Sequence, residues 1–217
     1  MNESHILENT HKFVKQTLEN AEAGHDYWHI LRVLNNAEII AQKEGGDLFT
    51  IRLGALLHDI ADAKFHNGDE SIGPKMARDF LIKQGVKQEI INEVVNIIKY
   101  ISFKNSLDGN QNYGKALAIV QDADRLDAIG AIGIGRAFVY GGHKGNLMYN
   151  PHLKPVEKLD KTNYKKGKTP TINHFYEKLF KLKDMMNTQT GKQMAKERHD
   201  FMKLFVKQFY DEWGNVK

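Results

Sequence analysis

The residues with the most chemical potential are the adjacent pair His58-Asp59 in GALLHDIAD. They follow the apolar positions Leu53, Ala55, Leu56 and Leu57, so a helix that buries this run carries an imidazole and a carboxylate inward at its end. Burying an unpaired charge is expensive, and one divalent cation would serve both groups. Imidazole nitrogen and carboxylate oxygen together suit Mn, Fe, Co, Ni or Zn better than calcium. Upstream, GHDYWHILRV sets His25 and His29 four residues apart, on one face if that turn is helical. His29 also shares an inward stripe with Val33 and Ala37. Downstream, AIVQDADRLDAIGAIG places Leu117, Val120, Asp124, Asp127 and Ala131 on one face at helical spacing. Two carboxylates on an otherwise apolar face are unusual; Asp122 points elsewhere and reads as a surface or hydrogen-bonding residue. Each of these residues alone has an ordinary structural reading, and their combination is what argues for a metal. With open positions left on a six-coordinate ion, water and a phosphate oxygen could enter.

An anionic substrate also needs cations. Lys64 lies on the segment leaving the doublet, Arg125 neighbours Asp124, and Arg136 follows in the same region. Lysine meets phosphate as a point charge, whereas arginine can bind two oxygens at once. His25 could donate to a phosphate oxygen or protonate a leaving group. Asp26, Asp62 and Asp127 could orient the imidazoles or act as a base, with salt bridges and caps as the alternative.

These residues must be positioned by helices. Apolar spacing predicts helices over residues 5–22, 26–44 and 48–60, with Asp47 as an N-cap and Gly45-Gly46 as a stop. A helical pair follows over 72–84 and 87–101, hinged at Gly85, and then a polar, turn-rich stretch over 102–113. Another helix runs from Lys115 to about Ala128 and is expected to continue through GAIGIGRAF, against the tendency of its glycines. From Gly141 to Pro170 the helical pattern lapses, with Lys158, Lys161, Lys165, Lys166 and Lys168 clustered there. A connector of that length is functional or disordered, and this one reads as a solvated loop or a phosphate-gripping lid more mobile than the helices. Two closing helices are expected over 171–186 and 192–213. His174 with Phe175, Tyr176, Leu179, Phe180 and Leu182 reads as core with a satisfied polar partner, and Lys178 and Arg198 as structural ion-pair formers. The expected architecture is all-α, a compact helical bundle forming one domain over residues 1–217.

Composition narrows the field. The 217 residues carry no cysteine, which excludes a disulfide framework, a thiolate zinc site and a thiol nucleophile. The net charge of +4 fits a small anionic substrate or a lysine-rich surface, and no nucleic-acid-binding motif appears. No apolar run approaches the roughly 20 residues that span a bilayer, and MNESHILENTHKF lacks the apolar stretch of a signal peptide. A cytoplasmic address with no membrane partner is expected; the oligomeric state is not legible.

An isolated histidine, a HisAsp doublet and an aspartate about sixty residues later resemble the metal-binding pattern of the HD-domain metal-dependent hydrolases. GHDYWHILRV, LLHDIADAKF, QDADRLDAIGAIGIGRAF and the tail INHFYEKLFKLKDMMNTQTGKQMAKERHDFM resemble a bacterial subgroup of small phosphohydrolases, some of them nucleotide pyrophosphohydrolases. The resemblance covers about residues 20–213. It implies His29, His58, Asp59 and Asp124 as ligands to one divalent transition metal per chain, with Asp59 also assisting deprotonation of water. Two-metal variants carry additional histidines between doublet and last aspartate, where this chain has only His66. The activity implied is cleavage of nucleoside or deoxynucleoside triphosphates to monophosphate and pyrophosphate. Set against it are a nucleotide phosphomonoesterase and a non-catalytic nucleotide-sensing HD module. A di-iron oxygenase and a cyclic-dinucleotide phosphodiesterase both need histidines that are not present here.

Overall fold

The computed structural model of the chain describes residues 2–19, 26–61, 69–101, 114–156 and 169–214. Within these residues the regular structure is helical throughout, and no strand occurs. The chain divides into two compact units, Met1–Asp124 and Arg125–Lys217.

The first unit is built on α1 (Glu3–Thr17), α2 (Tyr27–Glu44), α3 (Leu48–Leu57), α4 (Ile72–Lys83), α5 (Gln88–Tyr100) and most of α6 (Lys115–Asp127). Short polar residues open the first three helices. Asn2 accepts from the His5 amide, Asp26 from the His29 amide at 2.8 Å, and Asp47 from the Phe49 and Thr50 amides, each satisfying donors that a helix start leaves unpaired. α2 ends at Gly45, whose φ of 75° stops the helix cheaply. α3 is apolar nearly all round and is the buried centre of the unit, with Phe49, Ile51, Leu53, Leu56 and Leu57 all buried. α1, α2 and α5 pack on it. A β-carbon on Gly54 would come within 2.6 Å of the Ile97 side chain, so the glycine is what lets α5 lie so close to α3. The predicted inward stripe of α2 is observed: His29, Val33, Ala37, Ile40 and Ala41 are all buried. At the far end of α2, Lys115 Nζ donates to the Glu44 carbonyl at 2.9 Å and ties the start of α6 to it.

The second unit contains the end of α6, then α7 (Gly130–His143), α8 (Thr171–Glu177), a 3₁₀ helix (Leu179–Met185) and α9 (Gln189–Trp213). Two sequence expectations are corrected here. The helix through Asp124 does not continue through GAIGIGRAF: Ile129 is extended and Gly130 has a φ of 75°, so a new helix starts. The conformation at Gly130 is one that only glycine takes readily, and the Arg198 side chain lies 3.0 Å from where a β-carbon would sit. Ala131 therefore does not share a face with Asp124, and it is exposed. The helix expected over 171–186 is likewise broken at Lys178 (φ −135°, ψ −58°) into α8 and the tighter 3₁₀ turn.

Helix α7 also runs three residues into the stretch that reads as non-helical, and the connector beyond it is tied down over its described part. Thr171 N and Ile172 N donate to the carbonyls of Leu147 and Met148 at 2.8 and 3.0 Å. Asn173 Nδ2 donates to the Leu153 carbonyl, and Val156 N to the buried Glu177 carboxylate. These bonds anchor residues 147–156 on the start of α8. The lysine cluster 158–168 and the proposed lid's centre lie outside the described residues. Phe175 is fully buried, with Phe138, Phe180 and Phe205 rings around it. Beside it, burial, reinforced by the Lys178 charge, pushes the His174 imidazole down to about 4.

Two predictions follow from this packing. A β-carbon on Gly133 would lie 2.3 Å from the Ala128 carbonyl oxygen, whereas one on Gly135 meets nothing within 4 Å. Gly133→Ala should destabilise the protein by about 1–3 kcal/mol, and Gly135→Ala should stabilise it by up to about 1 kcal/mol; urea denaturation reads both. For His174, the unfolded chain takes up a proton near pH 6.5, which the folded ring refuses until about pH 4. Its contribution is complete above pH 6.5 and is lost as the pH falls through that window. Urea midpoints measured from pH 7 to 4.5, with a chelator present, should fall less steeply for His174→Asn than for the natural protein.

Candidate metal centre

Three helices bring the predicted ligands together within the first unit. α2 supplies His29 three residues after its cap, the end of α3 supplies His58 and Asp59, and α6 supplies Asp124. His29 Nε2 and His58 Nε2 are 3.3 Å apart. Asp124 Oδ1 lies 3.5 Å from His29 Nε2 and 3.9 Å from His58 Nε2, and Asp59 Oδ2 lies 4.0 Å from His29 Nε2. His29, His58 and Asp59 satisfy the spacing of a metal-binding group.

The tautomer of His58 is set by its surroundings. Its Nδ1 is 2.8 Å from the Ala55 carbonyl. A carbonyl only accepts, so Nδ1 carries the proton and donates, and the Nε2 lone pair faces His29 and Asp124. Two ring nitrogens at 3.3 Å together with two carboxylate oxygens are the environment a cation requires. Ligand atoms at about 2.1 Å from one ion, at angles between roughly 90° and 180°, stand about 3.0–4.2 Å from one another. The four separations given above, from 3.3 to 4.0 Å, fall inside that range. The residues therefore fit a divalent metal.

The site is polarised in depth. The imidazole side chains of His29 and His58 are 1% and 3% exposed, while Asp59 and Asp124 are 18% and 34% exposed. The neutral nitrogen donors form the floor and the carboxylates form the mouth, so a water or a substrate oxygen approaches over Asp59 and Asp124.

The other sequence candidates are placed differently. Asp26 caps α2 at the His29 amide, which seats that ligand through the backbone rather than through its ring. Asp127 is buried and ion-paired with Arg136 at 2.7 Å. Arg125 is buried and donates to the Met185 carbonyl on the 3₁₀ helix. Arg198 donates to the Leu126 carbonyl at 2.6 Å, a structural tie made to the backbone. Asp122 is fully buried, which removes the surface alternative of its reading and leaves the hydrogen-bonding one. His25, Asp62, Lys64 and His66 lie outside the described residues.

Sequence reasoning passed over Asn36. It is buried, and its Nδ2 donates to the Ala123 carbonyl at 3.4 Å, joining α2 to α6 at the residue before Asp124. The signal was available: an asparagine seven residues after His29 falls on the same helical face.

Comparison with known proteins agrees with this geometry. The HD domain matches residues 27–129, a span that includes all four candidate ligands. Bacillus subtilis YpgQ is 38% identical over 212 residues, covering 96% of this chain and 94% of YpgQ. A crystal structure of YpgQ in complex with ADP superposes with a TM-score of 0.74 at 32% identity, covering 100% of this chain and 99% of that one. An HD-superfamily hydrolase from Bacillus thuringiensis gives a TM-score of 0.78 at 42% identity over the whole of both chains. A protein from Lactobacillus plantarum gives 0.82 at 38% identity, covering 96% of this chain and 97% of its own. The chain belongs to the HD-domain family and is a metal-dependent hydrolase of that superfamily.

His58→Ala and Asp124→Ala should each lower the metal content of the purified protein at least severalfold. Asn36→Ala should lower it less, because it loosens only the seating of α6. Elemental analysis measures all three, and full occupancy in both ligand variants would remove the assignment.

Proposed function

We propose that the chain hydrolyses nucleoside and deoxynucleoside triphosphates between the α and β phosphates, releasing a monophosphate and pyrophosphate, as a single domain working in the cytoplasm on a small anionic substrate. We assign one divalent transition-metal ion (Mn, Co, Ni, Fe or Zn) per chain to His29, His58, Asp59 and Asp124. The observation that carries the reading is the cluster itself, with its buried imidazole floor and its accessible carboxylate mouth. The nucleotide is suggested by YpgQ, which is described in complex with ADP.

A bound divalent cation supplies Lewis acidity toward a phosphoryl oxygen and lowers the pKa of water. The chain's own groups do the rest. His29 and His58 stay neutral and hold their Nε2 atoms inward. Asp59, at the mouth, accepts the proton of the attacking water. That water adds to the α-phosphorus, the bridging P–O bond breaks, and pyrophosphate leaves with the electron pair. Pyrophosphate is a good leaving group, so a strong general acid is not essential. We assign Lys64, assisted by His25, to neutralising charge on it, and Asp62 to orienting the water or relaying the proton. Arg125, Arg136 and Asp127 are engaged with Met185 and with one another. That engagement supports a positioning role at the end of α6 more than contact with substrate.

The test identifies the products from a nucleoside triphosphate with added metals. Pyrophosphate is expected; orthophosphate alone would replace the reading with that of a phosphomonoesterase. Lys64→Ala should slow triphosphate cleavage at least tenfold more than hydrolysis of an aryl phosphate, and equal slowing of both would remove Lys64 from leaving-group stabilisation.

A further inference from the structure

The second unit holds a cavity of about 560 Å³, within the range of small-molecule sites. None of its lining residues belongs to the metal centre. Three rings, Tyr176, Phe180 and Tyr210, and three lysines, Lys183, Lys203 and Lys207, border it together with His199 and Asp184. The residues come from α8, the 3₁₀ helix and α9, so the break at Lys178 that interrupts the expected helix also shapes the cavity.

His199 is the informative residue. It is 5% exposed, and its Nδ1 is buried with no hydrogen-bond partner among the described residues. A buried polar atom without a partner destabilises the fold that holds it. The ring meets the Phe180 ring edge-on, with centroids 5.3 Å apart. Burial first, and the charges of Lys183 and Lys203 next, lower its pKa. A neutral imidazole can give or take one hydrogen bond at Nδ1.

The charge lining the cavity is positive. Lys183 has Asp184 at 3.5 Å, and Lys207 has Asp211 at 2.6 Å. Lys203 has no ion pair within 4 Å among the described residues, and it is exposed. Tyr210 hydrogen-bonds with Tyr176, and burial first, then that bond, raises the Tyr210 pKa. Aromatic walls, surplus positive charge and one unused imidazole nitrogen suit a ligand with a flat ring and an anionic group.

We propose that this cavity is a second binding site, for a planar organic anion whose ring lies against Tyr176, Phe180 and Tyr210. Its anionic group sits near Lys203 and Lys183, beside the His199 ring that borders the cavity. Nothing in this assignment depends on the substrate of the metal centre.

Naphthalene-2-sulfonate is a suitable probe, because it is flat and anionic and has no phosphorus to be hydrolysed. Titrated into the metal-loaded protein, it should bind saturably and shift the His199 ring nitrogens in the NMR spectrum, assigned by their loss in His199→Gln. Lys203→Ala should weaken binding about fivefold, and Lys183→Ala by a smaller factor. The uncharged 2-naphthalenemethanol should bind at least tenfold more weakly than the sulfonate. Lys203 is exposed, and an unchanged melting temperature will show that its variant folds. Absence of saturable binding at millimolar probe, equal affinity in Lys203→Ala, or shifts at His58 without shifts at His199 would each overturn the proposal.

Discussion

Two imidazole nitrogens held 3.3 Å apart in a buried site are the constraint on which the first unit depends. With both Nε2 atoms unprotonated, as a metal requires, two lone pairs face each other, and two carboxylates alongside them crowd negative charge into the same space. The arrangement persists because each ligand is seated from behind. The Ala55 carbonyl holds the His58 ring by its Nδ1 proton, and Asp26 holds the backbone of His29. Asn36 links α2 to the residue before Asp124. A cation entering such a site meets donors already in place and has little ordering to impose, which is the physical content of preorganisation.

Packing of α3 makes this seating possible. A helix buried on nearly every side cannot rotate to relieve a crowded end, so the HisAsp doublet that follows Leu57 is delivered in one orientation. Gly54 lets α5 approach closely, and the apolar positions of α1 and α5 close the remaining sides. The hydrophobic run before the doublet therefore does more than bury area: it fixes the bearing of the two ligands.

In the second unit, charged groups act mainly as structural ties. Arg125, Arg136 and Arg198 reach the Met185 carbonyl, Asp127 and the Leu126 carbonyl, respectively. All three bonds converge around the break between α6 and α7, where the chain leaves the helix carrying Asp124. Breaking the buried Asp127–Arg136 pair would leave an uncompensated carboxylate and cost about 3–5 kcal/mol.

Much of this was legible from residue type and spacing. The HisAsp doublet after an apolar run, the stripe through His29, Val33 and Ala37, and a carboxylate on the inner face at Asp124 stated the helical class and the residues that the fold brings together. Local rules suffice there, because an amphipathic helix reports which face is buried wherever it packs. Local rules failed where a distant residue chooses between two acceptable backbones. The break at Gly130 depends on Arg198 lying across it, and the kink at Lys178 belongs to a segment whose apolar pattern reads equally well as one straight helix. The partners of Arg125 and Asp127, the burial of Asp122 and the unused nitrogen of His199 are likewise products of packing. A sequence states which side chains are able to bind, but hydrogen-bond partners are assigned by what the folded chain brings within 3 Å, and that is decided only in three dimensions.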